Sequence, residues 1–201
     1  MFKTAIASAV VILAATCVFW IETDGFSAFT TEGARRIDVA RNPRAVPAIL
    51  LQSSDGDLVN LVSGGPQLTL VEFIYTSCPT LCVALGEDFY RLQESIARNP
   101  SRSSVRLLSI SFDWDRDTPD RLAEYAKSHR ARSPIWQIVR PTSAADLRHL
   151  LEVFGIVVKD DGAGGFVHNA AIHMINGNGQ LVKIGDIGQG ERLLSQGVDG
   201  S

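Results

Sequence analysis

Leu68 to Tyr75 is a run of apolar, β-branched and aromatic residues interrupted only by Glu72, and it leads within three residues to Cys78, followed by Pro79 and a second cysteine, Cys82. Such a run reads as a buried strand. Downstream, Leu85, Phe89, Leu92 and Ile96 recur at the spacing of one helix face, and Asn99-Pro100 closes that helix. Proline at the first helical position keeps the preceding residue out of helical geometry, so Cys78 belongs at or near the cap. The chain thus carries two thiols from the end of a strand to the start of a helix.

The surrounding pattern extends this unit. Ala48–Leu51 and Leu58–Leu61 flank Ser53-Ser54-Asp55-Gly56 and predict a hairpin. Val105–Ser111 and Trp136–Val139 read as short strands. Thr118-Pro119-Asp120 opens one helix, and Ser143 opens another whose Leu147, Leu150, Leu151 and Phe154 form an apolar face ending at Gly155. Ile156–Val158, Ala170–Ile175 and Leu181–Ile187 are β, the last two joined by an Asn-Gly-Asn-Gly turn. Strand–helix alternation followed by a terminal hairpin predicts an α/β, thioredoxin-like sandwich with a mixed central sheet flanked by helices. The segmentation is residues 1–22 as a signal anchor, 23–47 as a linker, 48–190 as the domain and 191–201 as a tail.

Ala5 to Ile21 carries no charge, follows Lys3 and is closed by Glu22 and Asp24. It has the length of a short transmembrane helix, and the charge order puts the remaining chain outside the cytoplasm. Cleavage after Phe26-Ser27-Ala28 and lipidation at Cys17 remain alternatives; an uncleaved inner-membrane anchor with a periplasmic domain is favoured. A net charge of −3 gives no field for nucleic acid. With 45% hydrophobic and 20% charged residues the chain is not disordered, and 3 cysteines are too few for a disulfide scaffold.

Cys78 and Cys82 are therefore a local device. Four residues apart on a helix, their Cβ atoms would lie about 5–6 Å apart; that is adjustable to a disulfide and wide enough for two thiolates to hold one ion. Proximity to unsatisfied helix amides favours the thiolate at both sulfurs. An inert disulfide, a redox pair and a soft-metal site all remain open, and the metal site is favoured because two thiolates suit Cu(I) or Zn(II) and a histidine is at hand. His129 reads as a helix-terminal cap and His149 as a surface residue. His168 follows the mobile-looking connection from Asp161 to Gly165 and is preferred as third ligand over His173, which lies inside a strand.

The ordered set of the strand into Tyr75-Thr76-Ser77-Cys78-Pro79-Thr80-Leu81-Cys82, the segment Ser109-Ile110-Ser111-Phe112-Asp113-Trp114-Asp115-Arg116-Asp117-Thr118-Pro119, Leu122-Ala123-Glu124-Tyr125-Ala126 and the late His168 resembles the Sco/SenC family of membrane-anchored copper proteins of cytochrome oxidase assembly. The resemblance implies copper, as Cu(I) or Cu(II), held by Cys78, Cys82 and His168. It implies a metallochaperone rather than an enzyme, delivering copper to the oxidase subunit with the binuclear copper centre or maintaining that subunit's thiols. A periplasmic copper donor or thiol reductant is the further partner. The alternative is a periplasmic thiol-disulfide oxidoreductase using Cys78 and Cys82 without storing metal. Thr80 stands where the family commonly has Asp, Val83 and Trp114 where it has Pro, and His173 where it has Tyr.

Overall fold

The computed structural model describes residues 2–23, 30–62, 67–78 and 81–198. Strand β4 (Leu68–Ile74) has every residue buried, which is why its sequence is continuous rather than alternating. It pairs in parallel with β5 (Val105–Ser111), which pairs in parallel with β6 (Trp136–Pro141). Parallel neighbours need crossovers, and α3 (Leu81–Arg98) and α4 (Pro119–Ser128) supply them. On the other side β4 pairs antiparallel with β9 (Ile172–Asn176), which turns back into β10 (Gln180–Gly185). The hairpin β2 (Leu50–Ser53) and β3 (Leu58–Asn60) adds to β6, and β1 (Arg44–Ala45) adds to β10. The resulting eight-stranded order is β1-β10-β9-β4-β5-β6-β2-β3. A separate pair, β7 (Val158–Asp160) with β8 (Phe166–His168), carries His168.

Both faces of the sheet are covered. The predicted stripe of α3, Leu85, Phe89, Leu92 and Ile96, is buried, with Phe89 edge-on to Trp136 at 5.8 Å. Phe73 of β4 meets Phe154 of α5 (Ala144–Phe154) at 5.1 Å. Ser143 caps α5 by accepting the Asp146 N–H, and Gly155 ends it at φ +64. The mixed sheet flanked by helices agrees with the α/β expectation.

Two segments differ from the segmentation read in sequence. Within the expected linker, Thr31–Arg41 is a helix, α2, capped by Thr30 and packed on the domain through the fully buried Val39. Polar contacts hold it as well: Arg35 donates to the Phe154 carbonyl, and Arg36 pairs with Asp186 at 2.7 Å. Periodicity could not detect it, because most of its turns are charged or small and its anchors lie more than a hundred residues away. Within the expected tail, α6 (Gly190–Val198) buries Leu193 and Leu194; a nine-residue helix with two adjacent leucines is too short for a clear period. Residues 24–29 and 199–201, also in those segments, lie outside the described residues.

The apolar N-terminal run falls in α1 (Phe2–Glu22), whose Val10, Val11, Leu13 and Val18 are exposed. Among the described residues no helix is long and apolar enough to cross a membrane.

If α2 is part of the core, Val39→Ala should cost about 1–3 kcal/mol. Ala40→Ser, on its exposed side, should change stability by less than about 0.5 kcal/mol. Urea melts of the two variants provide the comparison, and equal melts would detach α2 from the domain.

Candidate functional site

The cysteine loop leaves the sheet at the C-terminal end of β4. Phe112 N–H reaches the Ile74 carbonyl at 2.9 Å, and Cys78 N–H returns to the Tyr75 carbonyl at 3.2 Å in a tight turn. The Cys78 sulfur accepts the Cys82 N–H at 3.3 Å and so satisfies an amide in the first turn of α3, which is described from Leu81. Pro79 and Thr80 themselves lie outside the described residues. Both thiols are free; Cys78 is half-buried and Cys82 fully buried.

Burial pushes the Cys82 thiol up, and contact with the Cys78 sulfur adds to it. The expectation that the helix terminus favours thiolate at both sulfurs therefore fails at Cys82. A helix terminus is worth typically ~0.3–1 kcal/mol, whereas burial shifts a titration by up to several units. Cys82 holds its proton until something displaces it.

Tyr75 stands between the two proposed ligand loops. Its hydroxyl is 3.3 Å from both the N–H and the carbonyl of Phe166, and its ring meets Phe112 and Phe166, each at 5.4 Å. Burial raises the phenol, and the neighbouring Cys78 and Cys82 raise it further. His168, almost fully buried, packs edge-on against the same Phe112 at 5.0 Å. Neither of its ring nitrogens has a hydrogen-bond partner, and burial lowers its titration, so it is a neutral imidazole with a bare lone pair.

His173 also has unpartnered nitrogens, but its surroundings are different. It lies in β9 opposite Val71, between Phe73 at 5.8 Å and Phe154 at 5.4 Å, and burial, then Arg35, pushes it down to about 3. The two cysteines are thus brought into contact, and His168 joins them through Tyr75 and Phe112. Among the described residues, no three His, Cys, Asp or Glu side chains already converge as a metal cage. His129 caps α4, its Nδ1 3.1 Å from the Tyr125 carbonyl and its ring stacked on Tyr125 at 4.0 Å; His149 is exposed.

A groove of 510 Å³ opens beside Cys78, lined among others by Thr76, Val83, Arg121, Glu124 and His129. Two buried acids, Asp117 and Glu72, have roles that the sequence analysis did not assign. Asp117 accepts the Thr76 N–H at 2.9 Å and the Thr76 hydroxyl at 2.5 Å, fixing the loop just ahead of Cys78. Glu72 accepts from the Ser109 hydroxyl, which in turn accepts the Trp136 indole N–H at 2.8 Å; its other oxygen has no partner. Burial pushes Glu72 up to about 8. The only sequence signal for Glu72 was a lone acid in an otherwise apolar strand.

A sequence model of the SCO1/SenC family matches residues 44–199. The SCO1 protein homolog of Bacillus subtilis (strain 168) is 26% identical over 140 residues, covering 69% of this chain and 72% of the homolog. The structure of Bradyrhizobium japonicum ScoI with copper bound superposes with a TM-score of 0.64 at 21% identity, over 78% of this chain and 98% of that one. BsSco, a Sco-family cytochrome c oxidase assembly protein with an identified disulfide switch, gives 0.67 at 23% identity, over 79% and 94%. These likenesses place the fold in the thioredoxin-like class.

Because Glu72 titrates near 8 when folded against about 4.3 when unfolded, its contribution is fully present below pH 4.3 and is lost as pH rises through 8. Glu72→Gln, which keeps the acceptor for Ser109 and cannot ionise, should match wild type in urea melts at pH 4.5 and exceed it increasingly toward pH 8.5. A constant difference across that range would show that Glu72 is ionised throughout.

Proposed function

Since the chain belongs to the SCO1/SenC family, we propose that it is a membrane-tethered copper carrier of cytochrome c oxidase assembly, taking copper on Cys78, Cys82 and His168. The observation that carries this reading is the combination of two free thiols in contact with each other and a neutral, unpartnered imidazole linked to them through the rings of Phe112 and Tyr75. Thiolates suit Cu(I), and imidazole extends the set toward Cu(II). The donors are too soft for Mg or Ca.

Each side chain has its own part. Cys78, beside the groove, is the sulfur that a donor or recipient protein can reach. Cys82 gives up its proton when copper binds, so uptake strengthens as pH rises. His168 supplies a nitrogen without first breaking a hydrogen bond. The recipient is the oxidase subunit with the binuclear copper centre, and α1, with Lys3 before its apolar run and Glu22 and Asp24 after it, tethers the domain to the outer face of the inner membrane.

The contrast between half-buried Cys78 and fully buried Cys82 also favours a second activity on the same site. The Cys78 thiolate attacks a partner's disulfide and one partner thiol leaves. Cys82, losing its proton, then attacks the mixed disulfide, so the partner departs with two thiols and this chain keeps the Cys78–Cys82 disulfide.

Reduced protein should bind one copper per chain, and Cys78→Ala, Cys82→Ala and His168→Ala should each lose affinity by tenfold or more, on the order of the cost of losing a metal-site group. The oxidised protein should take up no Cu(I). Anaerobic titration of these variants beside His173→Ala checks the ligand set: loss in His173→Ala with full affinity in His168→Ala would exchange the histidines. Equal uptake by oxidised and reduced protein would remove the cysteines as joint ligands and leave thiol exchange as the function.

A further inference from the structure

Two adjacent residues hold the two halves of the proposed site. Asp117, fully buried in the turn after β5, grips Thr76, two residues before Cys78, through both the backbone N–H and the hydroxyl; Ser111 donates to the same carboxylate at 2.6 Å. Arg116, its neighbour in sequence, donates to the Gly164 carbonyl at 3.0 Å. Its guanidinium lies 4.9 Å from the centre of the Phe166 ring, two residues before His168. Arg116 is itself aimed by Asp113, whose carboxylate oxygens accept from Nε at 2.7 and 3.0 Å. Arg140 of β6 donates to the Trp114 carbonyl at 2.8 Å and ties the whole turn to the sheet.

The histidine loop needs such a tie. Gly162 and Gly164 adopt φ of +75 and +89, and the connection has no side chain that packs a core. Its internal order comes from Asp161, whose carboxylate accepts the Ala163 and Gly165 N–H groups at 2.7 and 2.9 Å. Those bonds are local; they shape the loop without fixing where it sits. Beyond the β7–β8 pairing and Asn169, which accepts the Val157 N–H and donates to the Gly155 carbonyl, two ties position it toward the cysteines: Arg116 at Gly164 and the Tyr75 hydroxyl at Phe166. Both ties lead back to the cysteine loop, one through the shared turn and one directly.

We propose that Arg116 is a positioning residue: from the turn that fixes the cysteine loop it holds His168 within reach of the sulfurs, and so supports the Cu(II) form of the site selectively over the Cu(I) form. This rests on Cys78, Cys82 and His168 being the ligands. Cu(I), a d¹⁰ ion without geometric preference, is satisfied by the two thiolates, whereas Cu(II) draws more on the imidazole. Slackening the histidine loop therefore weakens one oxidation state and spares the other, and the reduction potential of the bound copper rises.

Arg116→Ala is the test, with Arg116→Lys as partial rescue, since lysine keeps a donor for Gly164 but loses the two-point grip on Asp113. The side chain is 45% exposed, so the fold tolerates the change. Cu(II) affinity should fall about tenfold in the alanine variant and less in the lysine variant, with Cu(I) affinity within about twofold of wild type. In metal-free protein, amide exchange at Gly164–His168 should accelerate while that of Thr76–Cys78 stays unchanged. Unchanged or higher Cu(II) affinity, equal loss for both oxidation states, or unaltered exchange would each overturn the proposal. His168→Ala measured alongside separates the two levels. If it binds Cu(II) like wild type, the ligand set falls and the proposal with it. If it loses Cu(II) while Arg116→Ala does not, the ligands stand and the positioning role alone is wrong.

Discussion

Burial of β4 on both faces is the constraint from which the rest of this molecule follows. A strand with water on neither side cannot alternate polar and apolar residues, and it requires layers above and below. α3 meets that need on one face and α5 on the other. Because β4 and β5 run parallel, the chain must cross over between them through a helix, and the turn into that helix stands at the C-terminal end of the sheet. The cysteines occupy that turn. Their placement is thus a consequence of sheet topology, with the Cys78 sulfur accepting the Cys82 N–H and Cys82 drawn into the core.

The same burial sets the chemistry. Desolvation keeps Cys82 protonated, drives His168 and His173 to the neutral form and raises the Glu72 carboxyl. A charged site would have to be held open against this environment. Cys82 waits in it with an exchangeable proton, which a soft cation replaces on binding. His173 shares the desolvation and the bare nitrogens of His168, yet it is wedged between Phe73 and Phe154. Location, rather than protonation, separates the two histidines.

Access is asymmetric for a related reason. The groove at Cys78 is walled by α4, whose Arg121, Glu124 and His129 line it, while the Tyr125 hydroxyl of the same helix donates to the Cys82 carbonyl at 3.1 Å. The helix that forms the entrance therefore also braces the inner cysteine.

By itself the sequence determined the strand and the helix around Cys78 and Cys82, the β2–β3 hairpin with Gly56 at φ +85, and the capped helix from Ser143 to Gly155. These depend on local period, on backbone freedom and on capping chemistry, all of which act within a few residues. Tertiary structure alone decided that α2 and α6 join the core, that Cys82 is held protonated, and that Asp117 grips a threonine 41 positions away while Arg116 reaches 48 positions on to Gly164. None of these has a local signature. Each is a pairing or a desolvation that exists only once distant segments are brought together, and a single charged residue in a loop looks the same in sequence whether it meets water or a buried partner.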